Sequence, residues 1–238
     1  MNAIETIGLS FRYSGEKINI LEDISQTLGL GEAVSVLGAS GCGKSTLCYC
    51  LTGIIPNIWK GTLEGEVKIL GNPISRMRLP EISTMAGMVF QDPDTQLFSP
   101  TVEDEIAFGP ENLCLEREEI GRRIDMGLAL TGLEKYRYSH PENLSGGEKQ
   151  LVAIASVLAL EPKIIILDES LSQIDSQGRA RIKETVNRLK GEGRTIVMVE
   201  HDIDNLDIAD RIFFMDSGKL EEIKTRSLED IVDIYKVR

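Results

Sequence analysis

One eight-residue stretch constrains this chain more than any other: "GASGCGKS", Gly38 to Ser45. It fits G-x-x-x-x-G-K-[ST] at every fixed position. It follows the short apolar run "AVSVLG" and opens the helix-patterned "GKSTLCYCLTGI". That strand–loop–helix context gives the pattern its physical meaning. Gly38, Gly41 and Gly43 let backbone N–H groups turn inward around an anion without Cβ clashes. Ala39, Ser40 and Cys42 fill the loop between them, Cys42 turning its backbone rather than its thiol to the phosphate. The helix beginning near Lys44 adds its positive end. Lys44 is expected to reach the β- and γ-phosphates of a nucleoside triphosphate, and Ser45 to ligate Mg²⁺. Thr46 completes the binding stretch.

The rest of the chain fits around such a cradle. Further all-apolar runs, "MAGMVF", "KIIILD" and "TIVMVE", read as buried strands separated by helix-like segments. Strands apolar on both faces, alternating with helices, indicate an α/β fold with a mainly parallel sheet. The first 35 residues or so read as hairpins or meanders, and "GTLEGEVKILGNPI" as another hairpin element. "TVEDEIAFG", "REEIGRRIDMGLALTGL" and "GGEKQLVAIASVLAL" form a helical block inserted into the sheet pattern. "RIFFMDSGKLEEI" reads as a hairpin turning at Asp216-Ser217-Gly218, Gly191 and Gly193 suit the end of the helix before "TIVMVE", and a short helix is expected at the end. With 238 residues and no obvious linker, residues 1–238 are expected to form one domain.

Composition narrows the partners. The net charge of -12 implies no broad basic surface, so nucleic acid is not expected as the main partner. Four cysteines without a C-x-x-C pair, and two histidines, argue against structural zinc or a disulfide framework; reduced thiols are expected. The start of the chain lacks a signal-peptide layout, and no stretch approaches the roughly 20 apolar residues of a spanning helix. A membrane role must come through a partner.

Three further features carry chemistry. "KIIILDES" puts Asp168 and Glu169 at the tip of a buried strand. Adjacent strand residues face opposite ways, so one solvated face does not account for both; the alternative is a strand that simply ends in two solvated acids. Asp168 is expected to hold Mg²⁺, and Glu169 to orient or deprotonate a water. "MVFQDPDTQLF" delivers one uncharged amide, Gln91, just past another strand. "NLSGGEKQ" sets Ser145, Gly146, Gly147 and Glu148 at a second helix start, another candidate anion site.

"LSGGE" resembles the signature sequence of ATP-binding-cassette ATPases, and the other elements of that family occur in order over essentially the whole chain. Gln91 matches the glutamine loop, Asp175 in "SQID" the loop after the strand acids, and His201 in "VEHD" the switch histidine. Tyr13 matches the aromatic that stacks on adenine; on its own it is as well explained as a packed strand residue sharing a face with Phe11. The resemblance implies a P-loop NTPase (RecA-like) sheet core, an N-terminal antiparallel β subdomain and an α-helical subdomain at approximately 92–160. It implies ATP and Mg²⁺ as cofactors, with Ser45, Gln91 and Asp168 around the metal. Glu169, His201, Gln91 and Lys44 would be catalytic, with His201 sensing the γ-phosphate. It also implies a second cassette, the same chain or a related one, whose nucleotide meets Ser145–Glu148 in trans, with Asp175 in the inter-subunit loop.

Three departures bear on communication between subunits: Ser170-Leu171 stands where the family often has Pro-Thr, "SQID" replaces a small-residue loop, and Leu151 sits where a basic residue is usual. "VFQDPDTQLFSPTVEDEIAFGPENL" resembles the corresponding region of energy-coupling-factor importers of cobalt, nickel and vitamins, through Gln96 and the "FGPEN" of Phe108 to Asn112. That implies a transmembrane coupling subunit docked on the Asp92–Phe98 surface, a substrate-binding membrane subunit, and a peripheral place on the cytoplasmic face of the membrane. Two other functions remain open: a soluble cassette ATPase acting on nucleic acid or ribosomes, and a nucleotide-binding regulatory module. The first wants a basic face or a long arm, neither of which is seen; Glu169 and His201 argue against the second.

Overall fold

A computed structural model describes residues 2–172 and 174–224. The chain opens with β1 (Asn2–Tyr13) and β2 (Leu21–Gly29), an antiparallel pair, and continues into β3 (Ala33–Leu37) and α1 (Lys44–Leu51). The short α2 (Ile54–Asn57) leads to the hairpin of β4 (Gly61–Ile69) and β5 (Asn72–Pro73). Next come α3 (Leu79–Ser83) and β6 (Ala86–Val89). Three longer helices follow, α4 (Val102–Asn112), α5 (Arg117–Thr131) and α6 (Gly146–Leu158). Then β7 (Ile164–Asp168), α7 (Ser176–Gly191), β8 (Thr195–Glu200), β9 (Arg211–Asp216) and β10 (Lys219–Ile223) return to the sheet.

Two sheets result. β2-β1-β4-β5 is antiparallel, and β10-β9-β3-β8-β7-β6 is parallel except at the β9–β10 edge. The all-apolar runs behave as expected: β3, β6, β7 and β8 are buried along their whole length. Their alternation splits the core in two. Ile164, Ile166, Val197 and Val199 pack with α1 and the antiparallel sheet. Ile165, Leu167, Ile196 and Met198 pack with the helical block, and Leu151 and Leu171 lie in that same core. Two of the departures from the family pattern are therefore packing residues.

The punctuation is also as expected. Ser145 caps α6, Gly193 turns left-handed just past α7, and the β9–β10 hairpin turns through left-handed Ser217 and Gly218. The final helix expected from the sequence lies outside the described residues. Among the described residues no helix is long and apolar enough to cross a membrane.

Candidate functional site

β3, β7 and β8 are parallel neighbours, so their C-terminal ends deliver residues to one edge of the sheet. In open α/β sheets that edge is where ligands bind. The cradle leaves β3 there. Gly41 and Gly43 are left-handed, with φ of 80° and 112°. A Cβ on Gly38 would lie 2.4 Å from the Met215 carbonyl and 2.7 Å from Cys42 Sγ, so only glycine fits. The Cys42 thiol thus packs inside the loop, and burial pushes its pKa up.

Lys44, only 4% exposed, donates from Nζ to the carbonyls of Gly38 (2.8 Å) and Ala39 (2.9 Å). Its Nζ also lies 3.6 Å from Glu169 Oε1. Tyr13 stacks edge-on against Phe11, with centroids 4.8 Å apart, and its hydroxyl is 3.1 Å from Thr46 Oγ1. The two aromatics share a face as expected, with Phe11 in the core and Tyr13 half-buried beside the cradle helix.

The strand acids divide. Asp168 ends β7 at 3% exposure. Burial raises its pKa, a hydrogen bond with Ser45 opposes that, and the neighbouring Glu169 charge adds to it. Its Oδ1 is buried without a hydrogen-bond partner among the described residues. A serine hydroxyl and a carboxylate with a spare oxygen at the mouth of a phosphate loop fit a Mg²⁺ shared with phosphates, which needs few protein ligands. Among the described residues no group of three or more His, Cys, Asp or Glu is placed to hold a metal by itself.

Glu169 is left-handed at φ 47°, uncommon for a residue with a side chain. The turn is held because its N–H donates to the Val199 carbonyl at 3.0 Å and its own carbonyl accepts from Ser172 N at 3.0 Å. Such conformations persist where surrounding structure enforces them, often at functional sites. The turn sends the carboxylate among three other residues expected to be catalytic. Gln91 Nε2 donates to Oε2 at 2.9 Å, His201 Nδ1 lies 3.5 Å from Oε2, and Lys44 faces Oε1. The amide of Gln91 is thus engaged by Glu169.

The second glycine pair lies at the start of α6. Ser145 and Glu148 form a reciprocal cap: Ser145 N–H and Oγ donate to Glu148 Oε2 at 3.0 and 2.8 Å. The Tyr136 hydroxyl, then these Ser145 bonds, lower the Glu148 pKa. Gly146 is exposed, and a Cβ there would meet nothing within 4 Å. Gly147 is buried; its Cβ would stand 2.9 Å from Gly178 Cα. Packing against α7 explains Gly147, while Gly146 leaves open backbone facing outward. Asp175 caps α7 by accepting from Gly178 N–H at 2.7 Å.

One expected surface residue faces inward. Gln96 Oε1 accepts from Phe90 N–H at 3.0 Å, while Gln150 Nε2 donates to Phe90 O at 3.1 Å. Gln96 therefore fixes the segment leading to Gln91, its amide oxygen taken by the backbone. The outward surface is aromatic. Phe98 is 66% and Phe108 46% exposed, in an edge-to-face pair 4.7 Å apart. Buried Glu105 accepts from Phe98 N (3.0 Å) and Ser99 N (2.8 Å), which holds this loop on α4.

Glu200 is the residue the sequence reading passed over. It ends β8 at 1% exposure, next to His201. Its signal, an acid closing an all-apolar strand, is the one that exposed Asp168. Burial, with Asp202 and Glu169 adding and the Asn205 hydrogen bond opposing, raises its pKa to about 7. Between 4.5 and about 7 the folded state then holds a proton that the unfolded chain releases. Stability should fall as pH rises through that window, by on the order of 3 kcal/mol from this group. Thermal melts of wild type and Glu200→Gln from pH 4 to 8 should diverge across it; parallel curves would show that Glu200 does not titrate as a buried acid.

Comparisons with known proteins place the fold in a family. The ABC transporter family model matches residues 21–172. The chain belongs to the ABC transporter family, as an ATP-binding cassette. An ABC transporter ATP-binding protein of Methanosarcina mazei is 44% identical over 238 residues, covering 98% of this chain and 41% of the relative. The chain thus spans less than half of that relative's length. The energy-coupling factor transporter ATP-binding protein EcfA of Methanoculleus marisnigri is 42% identical over 234 residues, covering 95% of this chain and 82% of the relative. Among solved structures, cbiO1 of Clostridium perfringens, part of the ABC transporter complex cbiONQ, superposes with a TM-score of 0.84 at 34% identity, covering 99% of this chain and 92% of its own. An ATP-binding cassette in a dimeric post-hydrolysis state with ADP and Pi superposes at 0.78 with 28% identity, covering 93% of this chain and 99% of its own.

Proposed function

We propose that this chain is the ATP-hydrolysing subunit of an energy-coupling-factor-type importer for vitamins or transition-metal ions. The observation that carries the hydrolytic half is the placement of Glu169, enforced by a left-handed turn, within reach of Lys44, Gln91 and His201.

ATP would lie with its phosphates on the N–H groups of Gly38–Ser45 and its adenine against Tyr13. Lys44, already turned into the loop, would exchange its carbonyl contacts for β- and γ-phosphate oxygens. Mg²⁺ at Ser45 and Asp168 would neutralise charge between those phosphates. Glu169 would take a proton from the attacking water while Gln91 holds that water. His201 would face the γ-phosphate and stabilise charge that develops on it. Ser145 and the open backbone at Gly146 would close over the nucleotide of a second cassette, with Asp175 at the joint. The dimeric relative bound to ADP and Pi supports that pairing. Hydrolysis would reopen the pair and drive the transport step.

The importer subtype is supported by the EcfA relative, by the cbiO1 structure and by the exposed Phe98–Phe108 pair. A chain whose described helices cannot cross a membrane needs such a surface to act on one that does. Co-expression with a candidate transmembrane coupling subunit should yield a detergent-stable complex, lost in Phe98→Ala/Phe108→Ala. A complex that survives the double change would place docking elsewhere. Gln96→Ala should act differently, by loosening the Gln91 segment.

A further inference from the structure

Glu200 is a carboxyl group taken almost wholly out of water, and nothing in the proposed chemistry uses it. Burying such a group is costly unless it is well partnered, so its place calls for a reason. Its carboxyl accepts from Asn205 Nδ2 at 3.0 Å, and Asn205 is itself 1% exposed. The residues between them form the turn that carries His201. Asn205 N–H closes that turn on the Asp202 carbonyl at 3.2 Å. A second tie comes from α7: Arg179 Nη1 donates to Asp202 Oδ2 at 3.1 Å. Arg179 N–H in turn bonds the carbonyl of Asp175, which caps α7. Two buried polar atoms in this cluster, Arg179 Nε and Asn205 Oδ1, have no hydrogen-bond partner among the described residues.

We infer that Glu200 is a positioning residue for His201: through Asn205 it pins the 201–205 turn to the end of β8. Arg179 ties the same turn to the helix that Asp175 opens. His201 itself is half-exposed, and its Nδ1 lies 3.5 Å from Glu169 Oε2. Its place is set in part from behind, by Glu200 and Asn205 at the end of β8 and by Arg179 on α7. These polar ties act beside the apolar packing of Ile203 and Leu206 against Leu37, Ile212 and Phe214. This inference rests on the reading of His201 as the γ-phosphate sensor.

The test separates positioning from general stability. Glu200→Ala should lower kcat for ATP by about tenfold with KM within about twofold, because the loss falls on a group acting in the transition state. Glu200→Gln keeps an oxygen for Asn205 Nδ2 and should restore kcat to within about threefold of wild type. Asn205→Ala removes the tie from the other side; it should show the same kcat loss, and it carries the test if Glu200→Ala does not fold. Wild-type kcat in both Glu200→Ala and Asn205→Ala would overturn the inference. So would a KM that rises in step with the fall in kcat, or a Glu200→Gln protein as slow as Glu200→Ala. His201→Ala is the control: normal turnover there would remove the sensor reading itself, whereas a slow His201→Ala beside a normal Glu200→Ala removes only the role of Glu200.

Discussion

Lys44→Ala is expected to abolish ATP turnover, with a loss of at least about 100-fold, and to weaken nucleotide binding. The side chain is buried, directed at the Gly38 and Ala39 carbonyls, and 3.6 Å from Glu169. Alanine leaves the cradle N–H groups but removes the cation proposed to face the phosphates. It also removes the 3.6 Å approach of Lys44 Nζ to Glu169 Oε1, so the carboxylate loses a tie that helps set its direction. The loop itself should survive, because its shape depends on Gly38, Gly41 and Gly43. Phosphate release and a nucleotide titration, with a thermal melt to confirm folding, check this. Unchanged turnover in a folded variant would remove Lys44 from the site.

Glu169→Gln is expected to be nearly as damaging to turnover while sparing binding. The amide is the same size as the carboxyl and can still accept from Gln91 Nε2, which lies at 2.9 Å in the wild type. What it loses is basicity, and general-base catalysis typically contributes about 10²–10⁴-fold. ATP affinity should change little, since Lys44, Ser45 and the cradle are untouched. The negative charge beside Asp168, which helps raise that group's pKa, also disappears, so Asp168 should be at least as well ionised for Mg²⁺. A cassette pair that binds ATP and does not cleave it should stay closed.

Some of this was legible in the residues and some was not, for physical reasons. The cradle was plain because three glycines, a lysine and a serine at fixed spacing between a strand and a helix leave few alternatives. The parallel strands were plain because burial on both faces removes the polar alternation. The cap at Ser145 and the turn at Asp216–Gly218 follow from local chemistry acting over a few residues. The direction of Gln96 was not legible: a polar residue in a polar turn reads as surface, and only the fold shows that its amide oxygen accepts from Phe90 N–H. Nor was the left-handed turn at Glu169, since no glycine marks it and the neighbouring strand imposes it. Glu200 was missed because its meaning lies in Asn205, Asp202 and Arg179, which are brought together by α7 and the turn after β8. The two signature glycines look alike in sequence and differ in space, one packed on Gly178 and the other open.

The central claim is that Glu169 activates the water that cleaves ATP. The most direct measurement is the identity of the nucleotide retained by the Glu169→Gln protein in its cassette pair after incubation with Mg²⁺ and ATP. The expected result is intact ATP, held for times over which the wild-type pair has converted its nucleotide to ADP. ADP formed at the wild-type rate would contradict the claim and place the base elsewhere.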